Sequence, residues 1–423
     1  MNQIVFLLKT GFFHIFGSSV LNKIIAFSSN IILVHILSKN EFGVFTYAWN
    51  IYSIVLLFNG LGLEYGVLQI CSEKSGDNKF AKIVSKYSIK KGLQFDVLLL
   101  LLLLLTSFYL PLTLDGARVL LVYLCCLPMI QIIFNICTSY LRSQKFNQAF
   151  ARITFINTLM LLIFSIIGSY LYREKGLVFA YYLSYIISIA MCIKLCDFRF
   201  FEVKIYLDKK IKKTLVSISS VSMLNNALSQ LLYLLDIFIL GMILSNESVL
   251  ASYKVATIIP TALVFIPIAL VTYIYPYFAE HRMDKRWCLH YYKKILLYLG
   301  MFNFLLSMAL YFLAPYIIKY FFGIQYMDAL YVFRILSLTY FVSGTFRVLS
   351  GNLLVTQRKL GFNLFVAIAS GILNIIADYI LISRYGSLGA ACANSLVVIV
   401  SSILSTAYLV YCLRQNNLVT ERG

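Results

Sequence analysis

From residue 11 to residue 411 the chain reads as twelve apolar segments between short polar stretches: 11–37, 43–70, 92–114, 117–140, 149–172, 176–196, 214–244, 250–279, 295–318, 329–350, 361–382 and 386–411. That pattern leaves few folds open. A helix of about 20 apolar residues crosses the hydrocarbon of a bilayer, whereas a barrel strand needs only about ten that alternate with polar ones. These segments are too long and too continuous for strands. In hydrocarbon, backbone N–H and C=O groups must be satisfied inside the protein, which a helix does within its own segment. The expectation is an all-α integral membrane protein of about twelve transmembrane helices. With 61% hydrophobic and 13% charged residues, the chain lies outside the range of soluble domains. No polar stretch is long enough for a soluble domain, which leaves no room for a nucleotide-driven motor.

The 36 Lys and Arg exceed the 17 Asp and Glu, for a net charge of +19. On a soluble chain that excess would suggest nucleic acid. Here position decides otherwise. Most basic residues lie in 71–91, 141–148, 197–213, 280–294, 351–360 and the C-terminal tail. Lys74, Lys79, Lys82, Lys86, Lys90 and Lys91 crowd the first of these, and Lys204, Lys209, Lys210, Lys212 and Lys213 the third. If successive spans alternate in direction, all of these stretches share one face. The positive-inside rule makes that face cytoplasmic, with both termini on it. The partner is membrane lipid, and no nucleic acid is expected. The first apolar run lacks a small-residue cleavage site and reads as a retained span. The nine Cys form no CxxC, and His14, His35, His281 and His290 make no metal pair or catalytic triad. Neither a cofactor nor covalent catalysis is expected.

The halves look related. Ser19-Val-Leu-Asn22 matches Ser222-Met-Leu-Asn225, and Leu37-Ser-Lys-Asn-Glu41 resembles Leu244-Ser-Asn-Glu247. Tyr47 then falls against Tyr253, and Gly176-Leu-Val-Phe-Ala180 against Gly386-Ser-Leu-Gly-Ala390. An even number of helices per half makes the repeat parallel, about an axis along the membrane normal. The expected organisation is a six-helix bundle over 1–200, a cytoplasmic linker over 201–213, a second six-helix bundle over 214–412, and a cytoplasmic tail over 413–423.

Two helices in corresponding places carry polar stripes. At 100° per residue, Ser18, Ser19, Asn22, Lys23, Ala26, Ser29 and Asn30 fill one arc of roughly 140°. Ser219, Ser222, Asn225, Asn226, Ser229, Gln230, Tyr233 and Asp236 fill a similar arc, again roughly 140°. Polar stripes in membrane helices face a bundle interior or a water-filled cavity. Asn22, Lys23, Asn30, Asn225, Asn226, Gln230 and Tyr233 are therefore candidate cavity residues. Lys23 is the strongest signal, since a mid-membrane cation costs a few kcal/mol even on insertion scales; the alternative is a structural ion pair with Asp236. Lys254, Arg334 and, more weakly, Arg347 are further cations in or near spans that could instead snorkel to the interface. Asp236 is the leading candidate for coupling to H+ or Na+, because a carboxylate inside a bundle can exchange a proton or hold a cation. Glu64 and Asp378 are alternatives, or simply headgroup-level acids.

Three other features are local. Leu98–Leu105 is eight consecutive leucines, which reads as a lipid-facing wall. Pro260, Pro267 and Pro276 each remove a backbone donor, so the eighth span should bend. Gly60-Leu-Gly-Leu-Glu-Tyr-Gly66 is not a dinucleotide loop, because the third glycine is misplaced and no strand precedes it. Gly62 and Gly66 are spaced for close helix packing.

Leu37-Ser-Lys-Asn-Glu-Phe-Gly-Val-Phe45, Leu61-Gly-Leu63, Asp236 followed by Leu240-Gly241, Tyr253-Lys-Val-Ala256 and Tyr275-Pro276 together resemble the polysaccharide-transporter branch of the multidrug/oligosaccharidyl-lipid/polysaccharide (MOP) exporter superfamily. The resemblance covers nearly the whole chain and is nearest in character to O-antigen flippases of the Wzx type. It implies a V-shaped pair of lobes around a central cavity. It also implies export of an undecaprenyl-diphosphate-linked oligosaccharide across a bacterial inner membrane by alternating access, alongside other polysaccharide-assembly membrane proteins. A diphosphate needs a cationic partner, which Lys23 can supply as a point charge. Some cavity Tyr, such as Tyr233, could stack on sugars. A drug/cation antiporter of the same fold is the first alternative, although it should line its cavity with acids rather than lysines. A membrane-embedded glycosyltransferase or polymerase is the second, but it would need a sizeable outer loop.

Overall fold

The structure, a computed structural model, describes residues 12–74, 76–109, 114–196 and 207–415. Every regular element among them is a helix. By packing, the chain divides into two compact units, residues 1–231 and 232–423.

The first unit contains α1 (Phe12–Ile36), α2 (Lys39–Leu56), α3 (Leu63–Glu73), α4 (Asn78–Tyr109), α5 (Asp115–Leu124), α6 (Leu127–Ser143), α7 (Asn147–Cys196) and the first part of α8 (Lys209–Leu244). A capping box starts α2: the Glu41 N–H donates to Ser38 Oγ, and the Ser38 N–H donates to Glu41 Oε2. Two spans are broken within the unit, α2 and α3 bending by 43° and α5 and α6 by 45°. At 50 residues α7 is far longer than one crossing needs, and it reverses at Tyr172–Arg173, where Arg173 has φ 55° and ψ −136°. Beside the reversal, Gly168 and Gly176 lie backbone against backbone, so that a Cβ on Gly176 would sit 1.9 Å from the Gly168 carbonyl oxygen. Only small residues let two rods meet so closely.

The second unit continues α8 and adds α9 (Glu247–Leu263), α10 (Phe265–Glu280), α11 (Lys285–Ile317), α12 (Leu330–Val342), α13 (Val348–Thr356) and α14 (Leu360–Gln415). The break between α9 and α10 falls at Val264, between Pro260 and Pro267, as the prolines lead one to expect. A π turn, Ser343–Arg347, joins α12 to α13. At 56 residues α14 reverses at Gly386, with φ 57° and ψ −132°.

These reversals correct the register of the repeat. Gly386 has the backbone geometry of Arg173, not of Gly176. A second equivalent pair closes the preceding turns: Ser143-Gln144-Lys145 and Thr356-Gln357-Arg358, with Lys145 and Arg358 at φ 61° and 58°. Gln144 ties its turn to the Cys71 carbonyl and the Gly76 N–H, while Gln357 accepts from Lys285.

Six described helices are long and apolar enough to cross a membrane, or eight if each bent pair is one span. Two of these, α7 and α14, each contain a reversal and so run as two rods. In α1 and α8 the described apolar stretches are shorter, Val20–Ile36 and Leu234–Leu244. Among the described residues the helices are those of an all-α, multi-pass membrane protein. In the leucine run Leu98, Leu101, Leu102 and Leu105 are exposed while Leu99 and Leu103 are buried, the division a lipid-facing helix should show.

The expected linker, 201–213, is not where the units divide. Residues 201–206 lie outside the described residues, α8 already begins at Lys209, and the division falls within α8 after Leu231. The cause is packing. A Cβ on Gly62 would meet Met223 at 2.6 Å, and one on Gly66 would meet Ser219 Oγ at 2.2 Å and the Leu215 carbonyl at 2.9 Å. The two glycines seat the first half of α8 in the first unit. At the other end α14 runs to Gln415, past the expected boundary at 412, and residues 416–423 lie outside the described residues.

Candidate functional site

Asp236 lies in α8 and is 4% exposed. Three donors from three rods of the second unit converge on its carboxylate. The Tyr253 hydroxyl in α9 donates to Oδ2 at 3.0 Å, Asn374 Nδ2 in α14 donates to Oδ1 at 3.0 Å, and Asn394 Nδ2, beyond the α14 reversal, donates to Oδ2 at 2.7 Å. One turn after Asn374, on the same face of α14, Asp378 lies against Asp236 and is fully buried. Both Asp378 oxygens and Asn374 Oδ1 are buried without a hydrogen-bond partner.

The arrangement is unbalanced. Asp236 is well supplied with donors, while three neighbouring oxygens have none. No Lys or Arg pairs with either acid among the described residues. Two adjacent buried carboxylates cannot both stay charged without compensation, since repulsion adds to desolvation. A proton shared at the pair, or one hard cation among the orphan oxygens, would supply it. Oxygen-only donors of this kind suit alkali and alkaline-earth cations rather than zinc or copper.

Asp236 is therefore buried inside the second unit, whereas part of its stripe is not. Asn226 and Gln230 are exposed, and Asn226 Nδ2 donates back to the Ser222 carbonyl. The side chains of Asn225 and Tyr233 lie outside the described residues. In α1, Lys23 is exposed and has no ion pair among the described residues, with exposed Leu21 and Ile24 beside it. Asn30 donates back to the Ala26 carbonyl, and Asn22 Oδ1 is buried without a partner. The suggested pairing of Lys23 with Asp236 is not what satisfies Asp236, whose three donors all belong to its own unit. Lys254 is half-buried. Arg334 lies over the rings of Tyr311 and Tyr331 and donates to the Tyr311 carbonyl, which makes it part of the α11–α12 packing. Glu64 opens α3 beside Tyr65 and Asn135, well separated in the chain from the acid pair.

The sequence profile of a family described as polysaccharide biosynthesis protein matches residues 32–331. The chain belongs to that family. Comparison with curated protein sequences finds no match. Among solved structures the family member superposes on an inward-facing multidrug resistance MATE transporter of the MOP superfamily with TM-score 0.75 at 14% identity, covering 93% of this chain and 96% of that one. It superposes on the lipid II flippase MurJ, inward closed, with TM-score 0.70 at 17% identity, covering 94% and 87%. A MOP transporter from Pyrococcus furiosus, described as having a binding pocket of reverse polarity, gives TM-score 0.62 at 13% identity, covering 95% and 94%. The polysaccharide-family chain thus has the MOP transporter fold.

Three residues of the acid site escaped the sequence reading: Tyr253 as a ligand to Asp236, Asn374 and Asn394. The first was visible as a repeat match, but its hydroxyl carries no sign of its partner. Asn374 and Asp378 share a helix face at i and i+4, a signal that was available. Asn394 is a single amide in an apolar rod, which only the reversal at Gly386 brings back to the site. Asp96, discussed below, was also overlooked.

Proposed function

We propose that the protein is a flippase. It carries undecaprenyl-diphosphate-linked oligosaccharide units from the cytoplasmic to the periplasmic leaflet of a bacterial inner membrane, by alternating access. Both termini are cytoplasmic, and transport is coupled to a proton or monovalent cation at Asp236 and Asp378. The family match supports a polysaccharide pathway, and the likeness to a lipid II flippase supports a lipid-linked cargo. The observation that carries the reading is Lys23. It is a cation in a membrane helix, on the exposed surface, with no ion pair among the described residues. A diphosphate with sugars cannot cross hydrocarbon unaided, because each desolvated charge costs many kcal/mol. Lys23 lowers that cost by pairing with the phosphates while the prenyl chain stays in lipid.

The test is polysaccharide display in a flippase-null strain complemented with variants, alongside a blot for protein level. Lys23→Ala should abolish display at normal expression. Lys23→Arg should keep part of it, since it retains charge but changes shape and reach. Full display from Lys23→Ala would remove the phosphate contact. The drug/cation antiporter reading predicts instead that the gene protects cells from cationic dyes without affecting display.

A further inference from the structure

Between α2 and α3 the backbone turns the wrong way. Gly60, Leu61 and Gly62 have φ/ψ of 52°/25°, 55°/24° and 66°/21°. This is a run of three left-handed residues inserted in a right-handed span. Glycine adopts that conformation freely, but leucine does not, since its Cβ crowds the following carbonyl. Something must hold Leu61 there.

The holding group is Asp96 of α4, fully buried. Its Oδ1 accepts the Gly60 N–H at 2.7 Å, and its Oδ2 accepts Asn59 Nδ2 at 3.2 Å. The same Asn59 amide donates to the Pro128 carbonyl at 3.0 Å, in the first turn of α6. Pro128 lies just past the second break of the unit, so one side chain ties together the 43° and 45° bends. Tyr52 adds a second tie, donating to Gln131 Oε1 at 3.0 Å. Around this knot the backbones are crowded. A Cβ on Gly60 would meet Ile132 Cδ1 at 2.2 Å, and one on Gly92 would lie 3.6 Å from Gly60 Cα.

A left-handed turn cannot drift gradually into a right-handed helix, because the region between them is sterically barred. Any rewinding must therefore jump between two discrete arrangements, which is what a switching element needs. Rewinding residues 59–62 would straighten the α2–α3 span and move Gly62 and Gly66, the seat of Ser219, Met223 and Leu215 on α8.

We propose that the turn Asn59–Gly62 is a switch that rewinds during transport, and that Asp96 is the positioning residue that latches it in its left-handed state. The inference rests on the reading of the chain as an alternating-access transporter. Its experiment has an arm that does not need cargo.

Hydrogen–deuterium exchange by mass spectrometry on the full-length protein in nanodiscs reads the amides of 57–63, and display in the complemented strain reads transport. Leu61→Gly relieves the misfit of leucine and should stabilise the left-handed state, slowing exchange of that segment by about 5- to 30-fold. It should also reduce display several-fold while thermal stability does not fall. Leu61→Asn, which tolerates the same backbone, should act in the same direction but less. Asp96→Asn loses a charged acceptor and should speed exchange of 57–63, and Asp96→Glu should restore part of the wild-type rate. The proposal is overturned if Leu61→Gly slows exchange yet leaves display intact, since the turn is then a fixed bend. It is equally overturned if neither Leu61→Gly nor Asp96→Asn changes exchange at 57–63. Failure of the wild-type gene to restore display would count against the flippase reading, and the exchange arm would still decide whether the turn opens.

Discussion

The third rods of the two units, α4 and α11, each place one polar side chain against broken neighbours, but with different chemistry. In the first unit Asp96 grips the left-handed turn at Gly60. In the second, Asn303 donates to Thr345 Oγ1 inside the π turn at 3.1 Å and accepts from the Tyr340 hydroxyl at 2.9 Å. Gly92 and Gly300 precede these residues by about one turn and leave room for Ile132 and Thr345. The acid site reverses the asymmetry. Asp236 and Asp378 lie in α8 and α14, whereas α1 holds no acid and α7 only Glu174, at its reversal. Each unit therefore buries carboxylate in one place where its partner does not. The repeated architecture sets where helices break. The side chains set into that architecture differ, a buried latch candidate in the first unit and a buried acid pair in the second.

The largest effect should come from removing what the second unit alone possesses. Asp236→Asn or Asp378→Asn should drop polysaccharide display to the level of the null strain with protein level unchanged. Asp236→Ala should in addition lower thermal stability, because it strands the donors of Tyr253, Asn374 and Asn394, at about 1–3 kcal/mol for each group left unpaired. Wild-type display from both Asn variants would show that the pair is only structural.

Exchanging the chemistry of the third rods sharpens the contrast. Asn303→Asp would bury a charge in a site whose partners are hydroxyls, for a cost of several kcal/mol. Differential scanning fluorimetry should show a marked fall in Tm, and a larger one than Asp96→Asn produces. Equal shifts would mean that the two sites are interchangeable.

A moderate effect is expected at the glycine seat. Gly66→Ala forces a Cβ onto Ser219 Oγ and the Leu215 backbone, and overpacking of that kind costs about 1–3 kcal/mol. Gly351→Ala, with nothing within 4 Å, should be close to neutral. The pair can be compared in the same melt.

The smallest effect belongs to the surface. Arg173 donates through Nε and Nη2 to the two oxygens of Glu41, at 2.8 and 2.6 Å. Among the described residues the second unit has no such bridge at its reversal, where Gly386 carries no side chain. Arg173→Gly should cost below ~1 kcal/mol through the lost pair, partly offset because glycine suits φ 55° better than arginine does. A Tm change beyond a few degrees would mean that the bridge does more than close a turn.

Much of the fold was legible because hydrocarbon is an exacting solvent. Segment length and apolarity specify helices there, prolines mark the α9–α10 break, and Gly62 and Gly66 mark a close contact. Composition and periodicity also singled out Asp236, Asp378 and Lys23 as candidates, since a charge in an apolar segment stands out by itself. The sequence did not show which polar groups meet. The amides of Asn374 and Asn394 reach one carboxylate only because α14 reverses at Gly386, where a positive φ turns the chain. The division of the units inside α8 depends on which rod fills the groove at Gly66, a matter of shape that no single segment records. Asp96, just ahead of the leucine run, could have been any acid near a membrane boundary. Its role depends on a backbone N–H thirty-six positions earlier in the chain, freed by a turn whose handedness only the packed neighbours decide.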